Sequence, residues 1–232
     1  MHGFLRAPDG TFTNIDVPGS VCPSFFSFCT QPSGINPAGA ITGYYCDATA
    51  CHGFLRAQSG AFTTFDPPGS TYTAPSAIDP AGAITGSYGD ANFVQHGFLR
   101  ASNGTITTFD PPGSIYTQPN GINPAGAITG IYQDASFVIH GFLRAPDGTF
   151  TTFDAPGSVA NSINPAGAIV GFDQQATGGL HGFLRAHDGT FTTFDPPGSM
   201  FTWNVPGINP AGAITGSYID AGSLEHGFLR SP

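Results

Sequence analysis

The sequence predicts an all-β protein, a five-bladed β-propeller of four-stranded antiparallel blades that spans 1–232 as a single domain. Three observations predict it. The pentapeptide HGFLR begins at 2, 52, 96, 140, 181 and 226, and a second block, INPAGAITG with its variants, begins at Ile35, Ile78, Ile122, Ile163 and Ile208. These mark five units of about 45 residues, a period typical of propeller blades. Each block reads as two short strands around a Pro/Gly turn, so a unit holds four strands, and no 3.6-residue periodicity interrupts them. An open β-solenoid is the runner-up, although the period is long for its coils.

The first hairpin is clearest in "HGFLRAQSGAFTTFD" (52–66). Runs rich in Phe, Leu and Thr flank a turn ending in Gly60, and a sister copy reads "APDGT" (145–149). Pro presets the first turn position and Gly supplies positive φ, which suits a type I turn closed by a G1 bulge. Counting outward from that turn, Arg56 faces Phe62, Phe54 faces Thr64 and His52 faces Asp66. The same count pairs His2 with Asp16, His96 with Asp110, His140 with Asp154 and His181 with Asp195. Facing Cβ atoms lie roughly 5 Å apart, so a His–Asp hydrogen bond is expected at each blade edge. Its expected role is structural, because repetition in every unit argues against a catalytic or metal-binding pair. The Arg residues are expected to stack on the facing aromatics, Arg56 on Phe62 and Arg144 on Phe150, with Ile106 offering Arg100 only apolar contact.

The second hairpin has the same grammar, with Asn36, Pro37, Ala38 and Gly39 at the turn. Its small residues suit crowded strands. Six HGFLR strands plus five copies of the other three make 21, one more than five blades need. One terminal HGFLR strand is therefore redundant or forms a seam, and an unpaired edge of this kind can recruit another chain.

Composition narrows the function classes. Charged residues are 9% of the chain, against roughly 25% in ordinary globular domains. The net charge is −9, there is no Lys, and all six Arg lie within HGFLR. Nucleic-acid binding needs clustered cations, so this balance argues against it and also disfavours an anionic membrane surface. No apolar run approaches the ~18 residues of a membrane span. Met1 runs directly into the repeat, so no signal peptide is expected in the sequence. The four cysteines, Cys22, Cys29, Cys46 and Cys51, fall in the first repeat. Two disulfides and an oxidising compartment fit them best, four reduced thiols are the alternative, and their spacings do not suit zinc. Local pairing, 22–29 with 46–51, closes each loop on itself and is preferred.

Loop lengths locate the expected site. Within each hairpin the spacing is constant, and all variation falls in the two remaining connections of each unit. Alternate loops of a meander share a face, so the variable loops lie together, and binding sites favour loops on a rigid scaffold. On that face the sequence places Tyr72, Tyr116, Phe201 and Trp203, together with Asp47, Asp90, Asp134 and Asp220. Carboxylates bond sugar hydroxyls and aromatic rings stack on apolar sugar faces, so these eight are the candidate glycan-binding residues. The same acids are candidate Ca²⁺ ligands, or simply a solvated rim; no other cofactor is implied.

The pattern "INPAGAITGSY…HGFLRA..G.FTTFD.PGS" resembles the HAF-type extracellular repeats of bacteria, which carry an Ile-Asn-x-x-Gly-x-Ile/Val-x-Gly block followed by His-Ala-Phe or His-Gly-Phe and a Gly turn. The resemblance covers essentially the whole chain and implies secretion and a β-propeller-like fold, with no activity attached. The departures are Gly for Ala after His and the cysteine-bearing first repeat. Three functions follow in order: a secreted, lectin-like binding module with repeated sites that gain avidity; a self-assembling or cell-surface interaction protein; and a glycoside hydrolase, weakest because near-identical repeats lack two unlike acids in one cleft.

Overall fold

A computed structural model describes residues 3–21, 29–153, 159–174 and 178–232. Every regular element among the described residues is a β-strand. The chain forms two compact units, Met1–Phe109 and Asp110–Pro232.

In the first unit, β1 (Gly3–Arg6) and β2 (Phe12–Ile15) form a hairpin. Next come two antiparallel meanders. One contains β3 (Thr30–Ile35), β4 (Ile41–Cys46), β5 (Cys51–Arg56) and β6 (Phe62–Phe65). The other contains β7 (Tyr72–Ile78), β8 (Ile84–Gly89), β9 (Gln95–Arg100) and β10 (Ile106–Phe109). They are not wholly separate sheets, as the sequence led us to expect. One parallel bridge, Cys51 with Tyr72, joins them into an eight-stranded sheet. The four-residue β6 pairs only with Gly53–Arg56, so Cys51 has an open side that the start of β7 fills.

In the second unit, β11 (Ser114–Ile122), β12 (Ile128–Asp134), β13 (Ile139–Arg144) and β14 (Phe150–Phe153) make one meander. A second comprises β15 (Val159–Ile163), β16 (Ile169–Gln174), β17 (Leu180–Arg185) and β18 (Phe191–Phe194). A three-stranded sheet follows, with β19 (Ser199–Ile208), β20 (Ile214–Asp220) and β21 (Glu225–Arg230). Both terminal HGFLR copies are thus strands: β1 pairs with β2, and β21 with β20.

The turns follow from their residues. Ala57 N–H donates to Ala61 O at 2.8 Å and Gly60 N–H to Ala57 O at 2.9 Å, with Gly60 at φ 93°. This is a type I turn closed by a left-handed residue, where glycine lacks the Cβ clash. Its register sets Arg56 opposite Phe62. The AITG glycines answer a different need. A bulge between Pro75 and Ala77 presses β7 onto β8, and a Cβ on Gly86 would sit 2.6 Å from Pro75 Cα.

Neighbouring sheets within a unit are sealed by phenylalanine. Phe65, Ile84, Tyr88 and Phe98 form one buried cluster, and the Phe65 and Phe98 rings meet edge-on at 6.0 Å. Phe153 and Phe183 repeat the contact in the second unit at 6.5 Å. Phe54, Phe98, Phe142 and Phe183 are fully buried, each worth about 1.5–3 kcal/mol of transfer free energy. Beneath them Thr42, Thr85 and Thr129 each donate an Oγ1 hydrogen bond to the Phe carbonyl, at 2.9 Å. The fourth repeat puts Val170 there, also fully buried.

The Arg stacking differs from the sequence expectation. Arg56 lies over the facing Phe62 at 6.0 Å. Arg100, however, lies over Phe65 at 5.0 Å, Arg185 over Phe153 at 5.1 Å and Arg230 over Phe194 at 5.0 Å. Each of these rings ends the preceding repeat. Sheet-on-sheet packing, absent from a hairpin count, brings that ring over the guanidinium and buries Arg100 and Arg185. Asn side chains stitch successive repeats: Asn36 Nδ2 donates to Asp79 O at 3.3 Å and Asn123 Nδ2 to Asn164 O at 3.4 Å.

Candidate binding site

The connection after each AITG strand builds the site. In the first repeat, Asp47 opens the loop and its Oδ1 accepts from Thr49 N at 2.7 Å, Ala50 N at 3.0 Å and Thr49 Oγ1 at 2.6 Å. These bonds, the Thr49 hydroxyl foremost, hold the Asp47 carboxyl well below the usual carboxylate range. Cys46 and Cys51 face each other across β4 and β5 and are joined by a disulfide. Cys29 is also disulfide-bonded, while Cys22 lies outside the described residues.

The stapled loop and the start of β7 both line a cleft of about 670 Å³. Its lining is mostly apolar and includes Val21, Tyr44, Ala48, Thr49, Tyr72 and Ala74. Two phenols mark its polar rim. Tyr44 donates to Gln31 Oε1 at 3.1 Å, and Tyr72 to Gln95 Oε1 at 2.5 Å. Desolvation raises the Tyr44 pKa, so this phenol stays protonated. A smaller hollow of about 230 Å³ adjoins, edged by Cys51, His52, Asp66, Ser70 and Tyr72. Apolar walls with a few fixed hydroxyls suit a ligand having one apolar and one hydroxylated face.

The histidines lie between carboxylates. His52 Nδ1 is 2.7 Å from Asp66 Oδ2 and its Nε2 is 3.3 Å from Asp47 Oδ2. Asp66 Oδ1 accepts from Thr73 Oγ1 at 2.5 Å, so a polar chain ties β5 to β7. His181 Nδ1 is 2.6 Å from Asp195 Oδ2, and Asp195 Oδ1 accepts from Thr202 at 2.7 Å. Asp110 likewise accepts from Thr117 at 2.6 Å. His96, His140 and His226 direct Nε2 at Asp90, Asp134 and Asp220, at 3.7, 3.2 and 2.8 Å. Tyr45, Tyr88, Tyr132 and Tyr218 lie against the rings of His52, His96, His140 and His226, with centroids 4.9–5.5 Å apart. Asp16 is among the described residues; its counterpart His2 is not, and Asp154, counted opposite His140, is not either.

The four acids expected to form a ligand rim are turn builders. Oδ1 of Asp90 accepts from Asn92 N and Val94 N, that of Asp134 from Ser136 N and Val138 N, and that of Asp220 from Gly222 N and Leu224 N, all at 2.8–3.0 Å. The Val94 amide holds Asp90 low, the Val138 amide Asp134, and His226 Asp220. With one oxygen spent on the turn, each keeps only Oδ2, facing histidine. Among the described residues no three His, Cys, Asp or Glu side chains converge as metal ligands do. The aromatics are strand residues rather than loop residues: Tyr72 begins β7, Tyr116 lies in β11, and Phe201 and Trp203 lie in β19. Trp203 sits in a bulge between Thr202 and Asn204 and is 40% exposed. Tyr116 edges a hollow with Ile131, Tyr132 and Ile139.

Sequence reasoning missed Tyr44, which lines the cleft together with Tyr72 from another meander. It also missed Asp173, which takes the position of the stacked tyrosine in the fourth repeat, in register with His181. Asp173 is buried, its Oδ1 has no hydrogen-bond partner, and desolvation raises its pKa.

No family model matches the chain, and no curated protein matches it. Solved structures do. A protein assigned as TolB from Agrobacterium tumefaciens superposes with a TM-score of 0.64 at 15% identity, over 87% of this chain and 76% of its own. TolB, gluconolactonase and lectin structures that superpose on this chain are β-propellers. The chain has a β-propeller-like fold. A gluconolactonase from Xanthomonas campestris matches this propeller with a TM-score of 0.51 at 13% identity, covering 96% of this chain and 76% of its own. A lectin from Aleuria aurantia, solved with α-methyl-L-fucoside, matches with 0.51 at 13% identity, over 97% and 82%. Such different proteins on one propeller scaffold leave function to be argued from the site.

Proposed function

We propose that this chain is a secreted, five-bladed glycan-binding module whose principal site is the cleft between the loop 47–50 and the start of β7. The observation that carries the reading is a preformed, mostly apolar cleft of about 670 Å³ rimmed by Tyr44 and Tyr72. A pyranose has an apolar face for a phenol ring and hydroxyls for Thr49 and the tyrosine oxygens. The disulfide fixes one wall before ligand arrives, which lowers the ordering cost of binding. It also suits an oxidising, extracellular setting. That a lectin of similar fold has been solved with a fucoside supports the reading. The reading assigns calcium no role at Asp47, whose Oδ1 is engaged by its own turn.

The test is a broad immobilised-glycan array, read with wild type and with Tyr44→Ala and Tyr72→Ala, in calcium and in chelator. Wild type should bind a restricted set of glycans in both buffers, and each variant should lose at least about tenfold in affinity, or 1.4 kcal/mol. A wild-type protein that binds nothing across the array would refute the reading.

A further inference from the structure

Among the described residues, thirteen hairpin turns share one hydrogen-bond pattern, with a left-handed residue closing each turn. Ten of those residues are glycine: Gly10, Gly39, Gly60, Gly82, Gly104, Gly126, Gly148, Gly167, Gly189 and Gly212. In the loops opened by Asp90 and Asp134 the same position is Phe93 and Phe137, each at φ 63°, and in the loop opened by Asp220 it is Ser223. Phe93 N–H donates to Asp90 O at 3.1 Å and Phe137 N–H to Asp134 O at 2.9 Å, as glycine does in the other ten. A bulky L-residue holds positive φ at a cost in free energy that glycine does not bear. Phe93 is 91% exposed and Phe137 72%. A chain that uses glycine ten times for this turn has twice accepted both backbone strain and an apolar ring in water.

We propose that Phe93 and Phe137 are the stacking platforms of two further, equivalent saccharide subsites, one in each compact unit. The inference rests on the glycan-binding reading above and adds residues that the cleft does not contain. Each ring stands on a rigid turn, since Asp90 and Asp134 fix the backbone on either side of it. The residue before each ring is exposed and polar, Asn92 in one loop, where its Nδ2 donates to Asp90 Oδ2 at 3.3 Å, and Ser136 in the other, while a valine follows each ring. An apolar ring face with a neighbouring carboxamide or hydroxyl matches the two faces of a pyranose. A cationic partner is the less favoured reading, because the Oδ2 atoms of both acids already face histidine. Subsites repeated along the chain would add avidity to the cleft.

The experiment compares wild type, the Phe93→Gly/Phe137→Gly double variant and the Phe93→Trp/Phe137→Trp double variant on the same glycan surface, with thermal unfolding measured in parallel. Glycine should relieve the strain, so the double Gly variant should melt at a higher temperature while binding falls by at least about tenfold. Tryptophan should keep binding at or above the wild-type level, because it preserves the ring. If wild type binds no glycan, the cleft reading fails and this inference fails with it. If wild type binds and the Gly variant binds equally well, only this inference fails. A Gly variant that melts lower shows that the rings serve the fold, and loss of binding with Trp shows that stacking is not their role; either result overturns the proposal.

Discussion

Thr85→Val tests how the AITG strands are held. Thr85 is fully buried, and its hydroxyl donates to Phe98 O at 2.9 Å. Removing that bond should cost about 0.5–1.5 kcal/mol net. The added methyl returns up to about 0.8 kcal/mol of apolar burial. Space for it exists, because the fourth repeat already carries a fully buried Val170 at the equivalent position. The net loss should therefore be about 0–1 kcal/mol, or a fall of no more than about 4 °C in the melting midpoint for a chain of this size. Thr85→Ala loses the bond and also opens a methyl-sized void, so about 1.5–3 kcal/mol is expected. Differential scanning calorimetry of the two variants reads both values. A Val variant as unstable as the Ala variant would show that the hydroxyl, not the volume, secures the strand, and would refute the argument from Val170.

Asn123→Ala should cost about 2–3 kcal/mol in urea denaturation, since it strands buried groups: Asn123 Oδ1 accepts from Ala125 N and Ala127 N, and its Nδ2 reaches Asn164 O in the next repeat. The exposed Asn209, whose Oδ1 accepts from Ala213 N, should cost less than half as much when changed to Ala; equal losses would contradict the stitching between repeats. Asp173→Asn should raise the melting midpoint at pH 7 and match wild type near pH 3. Burial raises the Asp173 pKa, so the folded chain holds this proton more tightly than the unfolded chain, and wild-type stability falls as pH rises above the ordinary Asp value of about 3.9. A lower midpoint for the Asn variant at pH 7 would show that the fold uses the charge.

Much of this was readable in the sequence because hairpins are local. Pro, Asp and Gly at fixed offsets dictate a turn, the turn dictates register, and the facing of Arg56 with Phe62 follows, while the Cys46–Cys51 pairing was readable as one loop closing on itself. What crosses between sheets was not readable. Arg100 faces Ile106 in its hairpin yet stacks on Phe65 of the preceding meander, a contact fixed by packing rather than spacing. The cleft is hidden for the same reason, since Tyr44 and Tyr72 belong to different meanders. Phe93 and Phe137 escaped notice because phenylalanine is not a turn residue by propensity. Only the positive φ reveals that "DANFV" and "DASFV" close as the glycine turns do. The aspartates looked like ligands because carboxylates at a loop edge usually face water. Their Oδ1 atoms instead face amides of their own loops, a role shared with Asp47.

A crystal structure of the chain soaked with the tightest glycan from the array tests the central claim most directly. A sugar ring should occupy the cleft, with its apolar face on Tyr44 or Tyr72 and a hydroxyl within hydrogen-bond distance of Thr49 or of a tyrosine oxygen. Saccharide density confined to the end of the sheets that carries the Pro-Ala-Gly turns, with the cleft empty, would contradict it.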